Sequence, residues 1–314
     1  MIAAVAEEYG PPEVVKLRDL PLPRISPTAV LVRVDAAAVT SGDARIRGAN
    51  FPDGFGRVSR LVFGLRRPRR PVLGGVFSGV VEAVGAKVDA FAVGDEVCGM
   101  TGVAMGTHAQ YVAAPAKKLA RKPASVTHEQ AAGLLFGGAA ALQFLRVAQT
   151  GPGKTVLVNG ASGAIGTNAV QLAKQLGAHV TAVTSGRNAA LVTDLGADEV
   201  IDYTVTPLPR VDRRFDVVLD TVGVLDRHSA PRLLTDDGTA ILAAASLSDN
   251  IFARGKVKAG VAPERSEDFA HLLGLVADGT LRVVLDEVLD LQDIADAHRR
   301  VDSGRKVGNV VVRC

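Results

Sequence analysis

The sequence predicts an α/β protein in two parts, a β-rich region followed by a parallel sheet wound from alternating strands and helices. Three observations predict this. First, 314 residues exceed one ordinary small domain. Second, a 47% hydrophobic composition with 33 glycines suits a large core threaded by many tight turns. Third, the texture changes along the chain: short apolar runs broken by Gly, Pro and Asp give way, from Lys154, to a repeated strand, turn and helix.

In chain order, the β-rich region reaches to about residue 120, with strand-like runs at Ala29–Val34, Gly79–Val84 and Gln110–Ala113. Gly94-Asp95-Glu96-Val97 reads as a turn entering a strand. Past Pro123, Thr127 can cap a helix with Gln130 at its third position. Thr155–Asn159 is the first strand of the second part, Gly166–Leu176 an amphipathic helix, and His179–Thr184 the next strand. Asn188–Leu195 is a helix, and Glu199–Asp202, Phe215–Asp220 and Thr239–Ala244 are later strands. Such alternation implies right-handed βαβ units and a parallel sheet. The tail carries helices at Phe269–Asp278 and Leu291–Ser303 and a strand at Gly308–Val312, and is expected to return to the first part. The expected division is therefore 1–122 completed by 263–314, with 123–262 between them.

Composition excludes several function classes. A net charge of +3 is too small and dispersed for nucleic acid. The local run Arg66-Arg67-Pro68-Arg69-Arg70 reads as a solvated loop, since prolines at 68 and 71 break any helix there; contact with an acidic partner or with cofactor phosphates is the other reading. Cys98 and Cys314 form no C-x-x-C pair, so a disulfide framework or structural zinc site has no support. No apolar run approaches the ~18 residues of a membrane span. The N-terminus lacks a signal-peptide pattern, so a cytoplasmic protein with no membrane or nucleic-acid partner is expected.

The strongest chemical signal is Val156-Leu157-Val158-Asn159-Gly160-Ala161-Ser162-Gly163-Ala164-Ile165-Gly166. An apolar strand runs into spaced glycines and then a helix. Gly160, Gly163 and Gly166 can bring backbone N–H groups against a pyrophosphate at the positive end of the helix dipole. The strict G-x-G-x-x-G spacing is not met, because Ala161 holds its first glycine position; the strand-turn-helix setting carries the signal. An NAD site places Asp or Glu about twenty residues on, to bind the ribose hydroxyls. Here the chain reads Val183-Thr184-Ser185-Gly186-Arg187-Asn188, with no carboxylate. Ser185 can donate to a 2′-phosphate and Arg187 can pair with it, so NADPH is the expected cofactor. Asn159-Gly160-Ala161-Ser162 also resembles the opening of a short-chain dehydrogenase. That family's Tyr-x-x-x-Lys pair is absent, since Tyr9, Tyr111 and Tyr203 are followed four positions on by Glu13, Pro115 and Pro207.

Nearly end to end, the chain resembles the zinc-free medium-chain dehydrogenases/reductases, in their quinone oxidoreductase (zeta-crystallin-like) branch. The matching stretches are Pro71–Gly75, Gly79–Gly85, Val93–Val97, Gly106–Val112, Glu129–Ala132, Ala141-Leu142, Lys154–Tyr203, Ala297-His298 and Ser303–Gly308. The resemblance implies a Rossmann-type doubly wound parallel sheet plus a β-rich GroES-like catalytic domain, and a homodimer. It implies that Tyr203 lies near the 2′-phosphate, that Val222, Gly223, Ala244, Ala245 and Ser246 pass near the ribose and nicotinamide, and that Asn309 reaches the cofactor from the tail. With Gly160, Ser162, Gly163, Ala164, Ile165, Gly166, Thr184, Ser185 and Arg187, these form the expected cofactor set. Zinc-dependent relatives bind their metal through Cys, His and Glu; the corresponding places here are Thr40 or Ser41, Gly75 and Val76, none of them a zinc ligand of those kinds. The six histidines lack ligand spacing, and no metal is expected. His108, in the catalytic half, is the one to watch. Asp43 matches a family aspartate, whereas Thr40 and Arg45 replace the relatives' asparagine and aromatic, which puts substrate preference in doubt.

Without zinc no Lewis acid activates an alcohol. The expected reaction is hydride transfer to a quinone or similar conjugated carbonyl, with the protein supplying orientation and a dry cleft. Thr40, Ser41 and Asp43 are the candidate catalytic residues. The alternatives are an enone or enoyl-thioester reductase acting on a C=C bond, and a non-catalytic NADPH-binding sensor or structural protein.

Overall fold

A computed structural model describes residues 1–314. In chain order the elements begin with β1 (Ile2–Ala6), β2 (Val15–Asp19), β3 (Ala29–Val39), α1 (Ser41–Gly48), α2 (Gly56–Phe63), β4 (Val76–Val84), β5 (Glu96–Met100), β6 (Tyr111–Pro115) and β7 (Leu119–Arg121). The long helix α3 (His128–Val147) follows, then β8 (Thr155–Asn159), α4 (Ala164–Gln175), β9 (His179–Thr184), α5 (Ala189–Asp194), β10 (Glu199–Asp202), β11 (Phe215–Asp220) and β12 (Leu234–Leu242). The chain closes with α6 (Leu247–Phe252), β13 (Val257–Ala259), α7 (Ser266–Ala277), β14 (Leu285–Asp290), α8 (Ile294–Asp302) and β15 (Asn309–Arg313). No helix is long and apolar enough to cross a membrane.

Two compact units form. Unit 1 comprises Met1–Phe51, Gly56–Phe136 and Glu264–Cys314; unit 2 comprises Pro52–Phe55 and Gly137–Pro263. The division runs through α3 at Phe136, fourteen residues past the boundary the sequence suggested at 122. The cause is local packing: a side chain at Gly133 would stand 2.6 Å from Leu285 and 3.5 Å from Asn309, so the first turns of α3 lie against the returning tail. Thr127 caps α3 as expected, with its hydroxyl accepting from the Gln130 N–H at 3.2 Å and the Gln130 carbonyl oxygen accepting from the Thr127 N–H at 3.0 Å.

Unit 1 is a sheet in the order β14-β15-β3-β4-β5-β7, with β6 also on β3, beside the antiparallel β1-β2 pair. β3 is its spine. It alternates buried and half-buried residues, then turns wholly buried from Ala36 to Val39, and Val30, Val32 and Val34 meet Phe77, Val97 and Val312 in the core. The tail strand β15 pairs antiparallel with β3 from Val310↔Val39 to Arg313↔Ala36, which places the chain's end in the first unit.

Unit 2 is six parallel strands in the order β10-β9-β8-β11-β12-β13. Numbered within the unit, that order is 3-2-1-4-5-6, the doubly wound arrangement whose winding reverses between its first and fourth strands. Strand β8, Thr-Val-Leu-Val-Asn, has four buried residues in a row, as an inner parallel strand covered on both faces requires. Phe215, Val218, Leu233 and Leu242 complete the core with Leu157. The carboxyl ends of β8 and β11 therefore mark the switch point, where ligands bind in sheets of this kind.

Candidate cofactor site

The turn after β8 is built for close approach. Gly160 has φ +81°, and a Cβ there would meet Thr221 Oγ1 and Val222 Cγ2 at 2.5 Å. Both Gly160 and Ala161 donate their N–H groups to the Val183 carbonyl at 3.1 Å, tying the turn to the end of β9. A Cβ on Gly166 would stand 2.2 Å from the Gly160 carbonyl, so α4 can pack on the turn only because that side chain is missing. Gly163 differs. Its φ is −84°, and a Cβ there would touch nothing of the protein nearer than 3.4 Å. The fold does not need glycine at 163, which leaves space above the turn open. Here α4 begins, and the N–H groups of Ala164, Ile165 and Gly166 find no acceptor in the chain. Ser162 through Ile165 are half-exposed. Three free N–H groups at the positive end of a 12-residue helix form an anion site that a pyrophosphate fits.

At the end of β9 the hydroxyls are linked. Ser162 Oγ accepts from Thr184 Oγ1 at 2.9 Å and from Asn188 Nδ2 at 3.0 Å. Ser185 is half-buried and starts a single 3-10 turn, Gly186–Asn188. Arg187 is exposed on that turn and makes no ion pair or hydrogen bond. Tyr203 is 51% exposed, and its N–H donates to the Thr184 carbonyl at 3.1 Å, which brings it beside the same loop.

One expectation needs correction here. Counted along the chain, no carboxylate follows β9, yet parallel pairing of Asp202 with Thr184 carries one to the same end of the sheet. A Cβ on Gly186 would stand 2.4 Å from Asp202 Oδ2. The carboxylate is engaged, with Oδ1 accepting from the Thr204 hydroxyl at 2.7 Å and the Thr204 N–H at 2.9 Å. Those bonds, and another from the Gly186 N–H, hold Asp202 below the usual carboxylate range.

Asp220, which the sequence did not single out, organises the switch point. It is fully buried at the end of β11. Oδ1 accepts from Asn159 Nδ2 at 2.9 Å and from the N–H groups of Val222 and Gly223 at 3.1 and 3.2 Å; Oδ2 accepts from the Leu225 N–H at 2.7 Å. The carboxylate thus fixes the whole 221–225 loop, which presents Val222 and Val224, each 54% exposed, to solvent. Gly223 has φ +87°, and Ala245 is buried just beyond β12. A signal did exist: an Asp closing an apolar strand directly before a glycine-containing loop.

Residues 26–124 match the alcohol dehydrogenase GroES-like domain family, and residues 195–312 match the zinc-binding dehydrogenase family. The trans-enoyl reductase pgmF of Aspergillus terreus is 32% identical over 93% of this chain and 89% of its own length. The chain belongs to the medium-chain dehydrogenase/reductase superfamily. The mouse mitochondrial NAD(P)H oxidoreductase RTN4IP1 is 35% identical over 71% of this chain, a match that spans 60% of the relative's length. The quinone oxidoreductase of Coxiella burnetii superposes with a TM-score of 0.90 at 27% identity, covering 100% of this chain and 99% of that one. The fold expected of the superfamily, with a GroES-like domain and a Rossmann-type sheet, is the fold observed.

Unit 2 gathers the glycine turn, Thr184, Ser185, Arg187, Tyr203, Val222, Gly223 and Ala245, while Thr40, Ser41, Asp43 and Asn309 belong to unit 1. Within unit 1, Asn309 Nδ2 donates to the Val284 carbonyl at 3.1 Å. Thr40 and Asp43 form the capping box of α1. The Thr40 hydroxyl donates to Asp43 Oδ2 at 2.6 Å, the Thr40 N–H donates to the same oxygen at 2.8 Å, and Thr40 Oγ1 accepts from the Asp43 N–H at 3.3 Å. Asp43 Oδ1 accepts from the Gly74 N–H at 3.1 Å, and the residue is only 2% exposed. This carboxylate is a positioning group that clamps α1 to the 73–75 loop. Ser41 is exposed and makes no hydrogen bond. His108 is fully buried, with Nε2 against the Ala38 carbonyl at 3.1 Å and Nδ1 unpartnered. A surface pocket of about 490 Å³ in the same unit, lined by Arg18, Asp19, Gln110, Asp290 and Arg313 among others, shares no residue with the candidate set.

Proposed function

We propose that the chain is an NADPH-dependent reductase that acts without zinc on a quinone or similar conjugated carbonyl acceptor. The observation that carries the cofactor reading is Arg187, an unpaired cation on a loop whose neighbours Ser185 and Tyr203 offer hydroxyls. Arg187 would pair with a 2′-phosphate, and Ser185 would donate to it. Asp202 Oδ1 already accepts from the Thr204 hydroxyl and N–H, and this reading gives the choice of nicotinamide to Arg187. The N–H groups of Ala164 to Gly166 would hold the pyrophosphate, and Val222 and Gly223 would flank the ribose and nicotinamide.

When bound, the reduced nicotinamide supplies hydride to the acceptor. Thr40 or Ser41, Gly75 and Val76 stand where zinc-dependent relatives place their ligands and offer no thiolate, imidazole or carboxylate, which supports a zinc-independent reaction. Of the candidate catalytic residues, Ser41 has the free hydroxyl. It can pass a solvent proton to the reduced acceptor, whereas the Thr40 proton is already given to Asp43. The likeness to a trans-enoyl reductase favours a second reading, hydride delivery to the C=C bond of an enone or enoyl thioester.

Calorimetric titration tests the cofactor reading. NADPH should bind at least about tenfold tighter than NADH, and Arg187→Ala should remove most of that preference while leaving NADH affinity in place, as expected for one exposed charge-assisted pair. Equal affinities in the unaltered protein would overturn it. Steady-state NADPH oxidation with an ortho-quinone, an alkyl enone and crotonyl-CoA then ranks the acceptor classes, and a protein that binds NADPH but reduces none of them would be a sensor.

A further inference from the structure

Helix α2 is amphipathic the wrong way round. Val58, Leu61 and Val62 recur at the spacing that lines one helix face and are 48, 61 and 47% exposed, and Leu65, just past the helix end, is 63% exposed. The buried residue of the helix is the polar Ser59, and the half-buried Phe63 stacks on Phe51 at 6.0 Å. Four branched aliphatics in a row facing solvent are the arrangement that an unpartnered docking face leaves exposed.

The same segment is strongly basic. Arg57, Arg60, Arg66, Arg67, Arg69 and Arg70 lie within it, no Asp or Glu occurs from 54 to 81, and none of the six makes an ion pair. Helix and loop form one body. The Arg69 N–H donates to the Phe63 carbonyl at 2.6 Å, the Arg69 guanidinium to the Leu61 carbonyl at 3.1 Å, and the Arg60 guanidinium to the Leu65 carbonyl at 3.0 Å. Gly64, at φ +128°, lets the loop fold back, since a Cβ there would stand 2.0 Å from the Arg67 carbonyl. Tyr9 pins the turn by donating to the Gly64 carbonyl at 2.6 Å.

We propose that residues 56–70 dock the protein peripherally on an anionic phospholipid surface, with Val58, Leu61, Val62 and Leu65 entering the acyl boundary and the arginines meeting phosphates. An apolar stripe rimmed by cations is the chemistry of an interfacial helix, and guanidinium groups pair well with phosphate while their stems lie along apolar surface. A second copy of the chain fits poorly, because a two-fold contact would bring six arginines against six. A protein groove fits less well than lipid, because the stripe has no aromatic anchor of the kind that dominates such interfaces. In sequence the arginines read as a solvated loop; the exposed aliphatic residues beside them in the fold point instead to a docking face. The inference does not depend on the acceptor or the cofactor.

Vesicle co-sedimentation tests it, using the full chain without cofactor. The protein should pellet with vesicles containing about one third phosphatidylglycerol at low salt and stay soluble with phosphatidylcholine alone. At about 1 M salt, where the Debye length falls to about 3 Å, bound protein should drop at least tenfold. Arg66→Gln/Arg67→Gln/Arg70→Gln, which alters only side chains without partners in the chain, should lower binding at least tenfold. Leu61→Ser/Val62→Ser should do the same with every arginine kept. Three results would overturn the proposal: no sedimentation with the anionic vesicles, undiminished binding by the Leu61/Val62 variant, or a concentration-dependent dimer that this variant dissociates.

Discussion

Asp220 ties the sheet's switch point to the loop that flanks the proposed nicotinamide site, so its removal gives a sharp test. Asp220→Ala strips the acceptor from four donors. Val222 and Gly223 are exposed, so their N–H groups can turn to water, but Leu225 and Asn159 are 5% exposed and their donors would be stranded. At about 1–3 kcal/mol for each stranded buried donor, the loss is about 4 kcal/mol, a large part of the stability of an ordinary domain. Unit 2 has roughly 130 residues, and at about 2.1 cal/mol/K per residue its unfolding entropy near 60 °C is about 0.27 kcal/mol/K. Taking the unit as one cooperative transition, the midpoint should fall by about 15 °C. In Asp220→Asn the amide oxygen can keep the three bonds at Oδ1, and only the Leu225 N–H meets a donor, so the loss should be about half as large. Scanning calorimetry of the two variants measures both numbers. A midpoint within about 3 °C of the unaltered protein for Asp220→Ala would mean that the loop holds itself without the carboxylate, and the argument would fail.

Three further outcomes are expected. Gly166→Ala should destabilise unit 2 by about 1–3 kcal/mol or more, because its Cβ meets backbone at 2.2 Å, whereas Gly163→Ala should change stability by less than about 1 kcal/mol yet weaken NADPH binding at least about tenfold; thermal melts paired with cofactor titrations separate the two. His298 is fully buried with both ring nitrogens unpartnered, and burial first, then the charges of His108 and Arg47, push its pKa well below 6.5. The unfolded chain therefore takes up a proton that the folded one refuses, and stability should fall by up to about 1.4 kcal/mol for each pH unit below about 6.5; urea melts at several pH values should show a shallower slope in His298→Leu, and parallel slopes would refute the assignment. Asp202→Asn should raise the preference for NADPH over NADH by about two- to fivefold, since it removes a half-buried like charge near the proposed 2′-phosphate position, and isothermal titration with both nucleotides reads the ratio.

Much of the parallel sheet was legible because inner strands of such sheets are apolar on both faces. The inner runs at Thr155–Asn159, His179–Thr184 and Phe215–Asp220 have the bounds that the structure gives them, and so does the edge strand Glu199–Asp202. Helix ends were less legible. α4 begins at Ala164 rather than Gly166, because its glycines serve the turn and the helix together, and a single 3-10 turn precedes both α5 and α8. β12 starts at Leu234, five residues early, through an irregularity in its pairing with β11 that no local pattern announces. β13 has three residues, and β14, Leu-Asp-Glu-Val-Leu-Asp, has no clean alternation, so neither stands out before a neighbouring strand supplies the register. α2 was invisible for the opposite reason: its apolar residues face outward, and only the basic run beyond it, Arg66–Arg70, stands out in the sequence.

The candidate site divides the same way. Residues that act through their backbone, Gly160 and Gly166 above all, are readable in sequence because a missing side chain and a strand-turn-helix context are local facts. Residues that act through partners distant in the chain are not. Asp202 reaches the Gly186 loop only because β10 lies parallel to β9 in a register that matches Asp202 with Thr184. Asp220 meets Asn159 only because β11 lies beside β8 across the switch point. In both cases a carboxylate at the last residue of one strand serves the loop or the residue at the end of its neighbour. A parallel sheet brings all its strand ends to one edge, so the acids that govern a nucleotide site can be tens of residues from the glycines that advertise it. A search for the ribose-binding acid should therefore test the last residue of each strand flanking the one that follows the glycine turn, and ask whether its oxygens are already taken. For Asp202, Oδ1 already accepts from the Thr204 hydroxyl and N–H, and the proposed preference for NADPH then rests on Arg187.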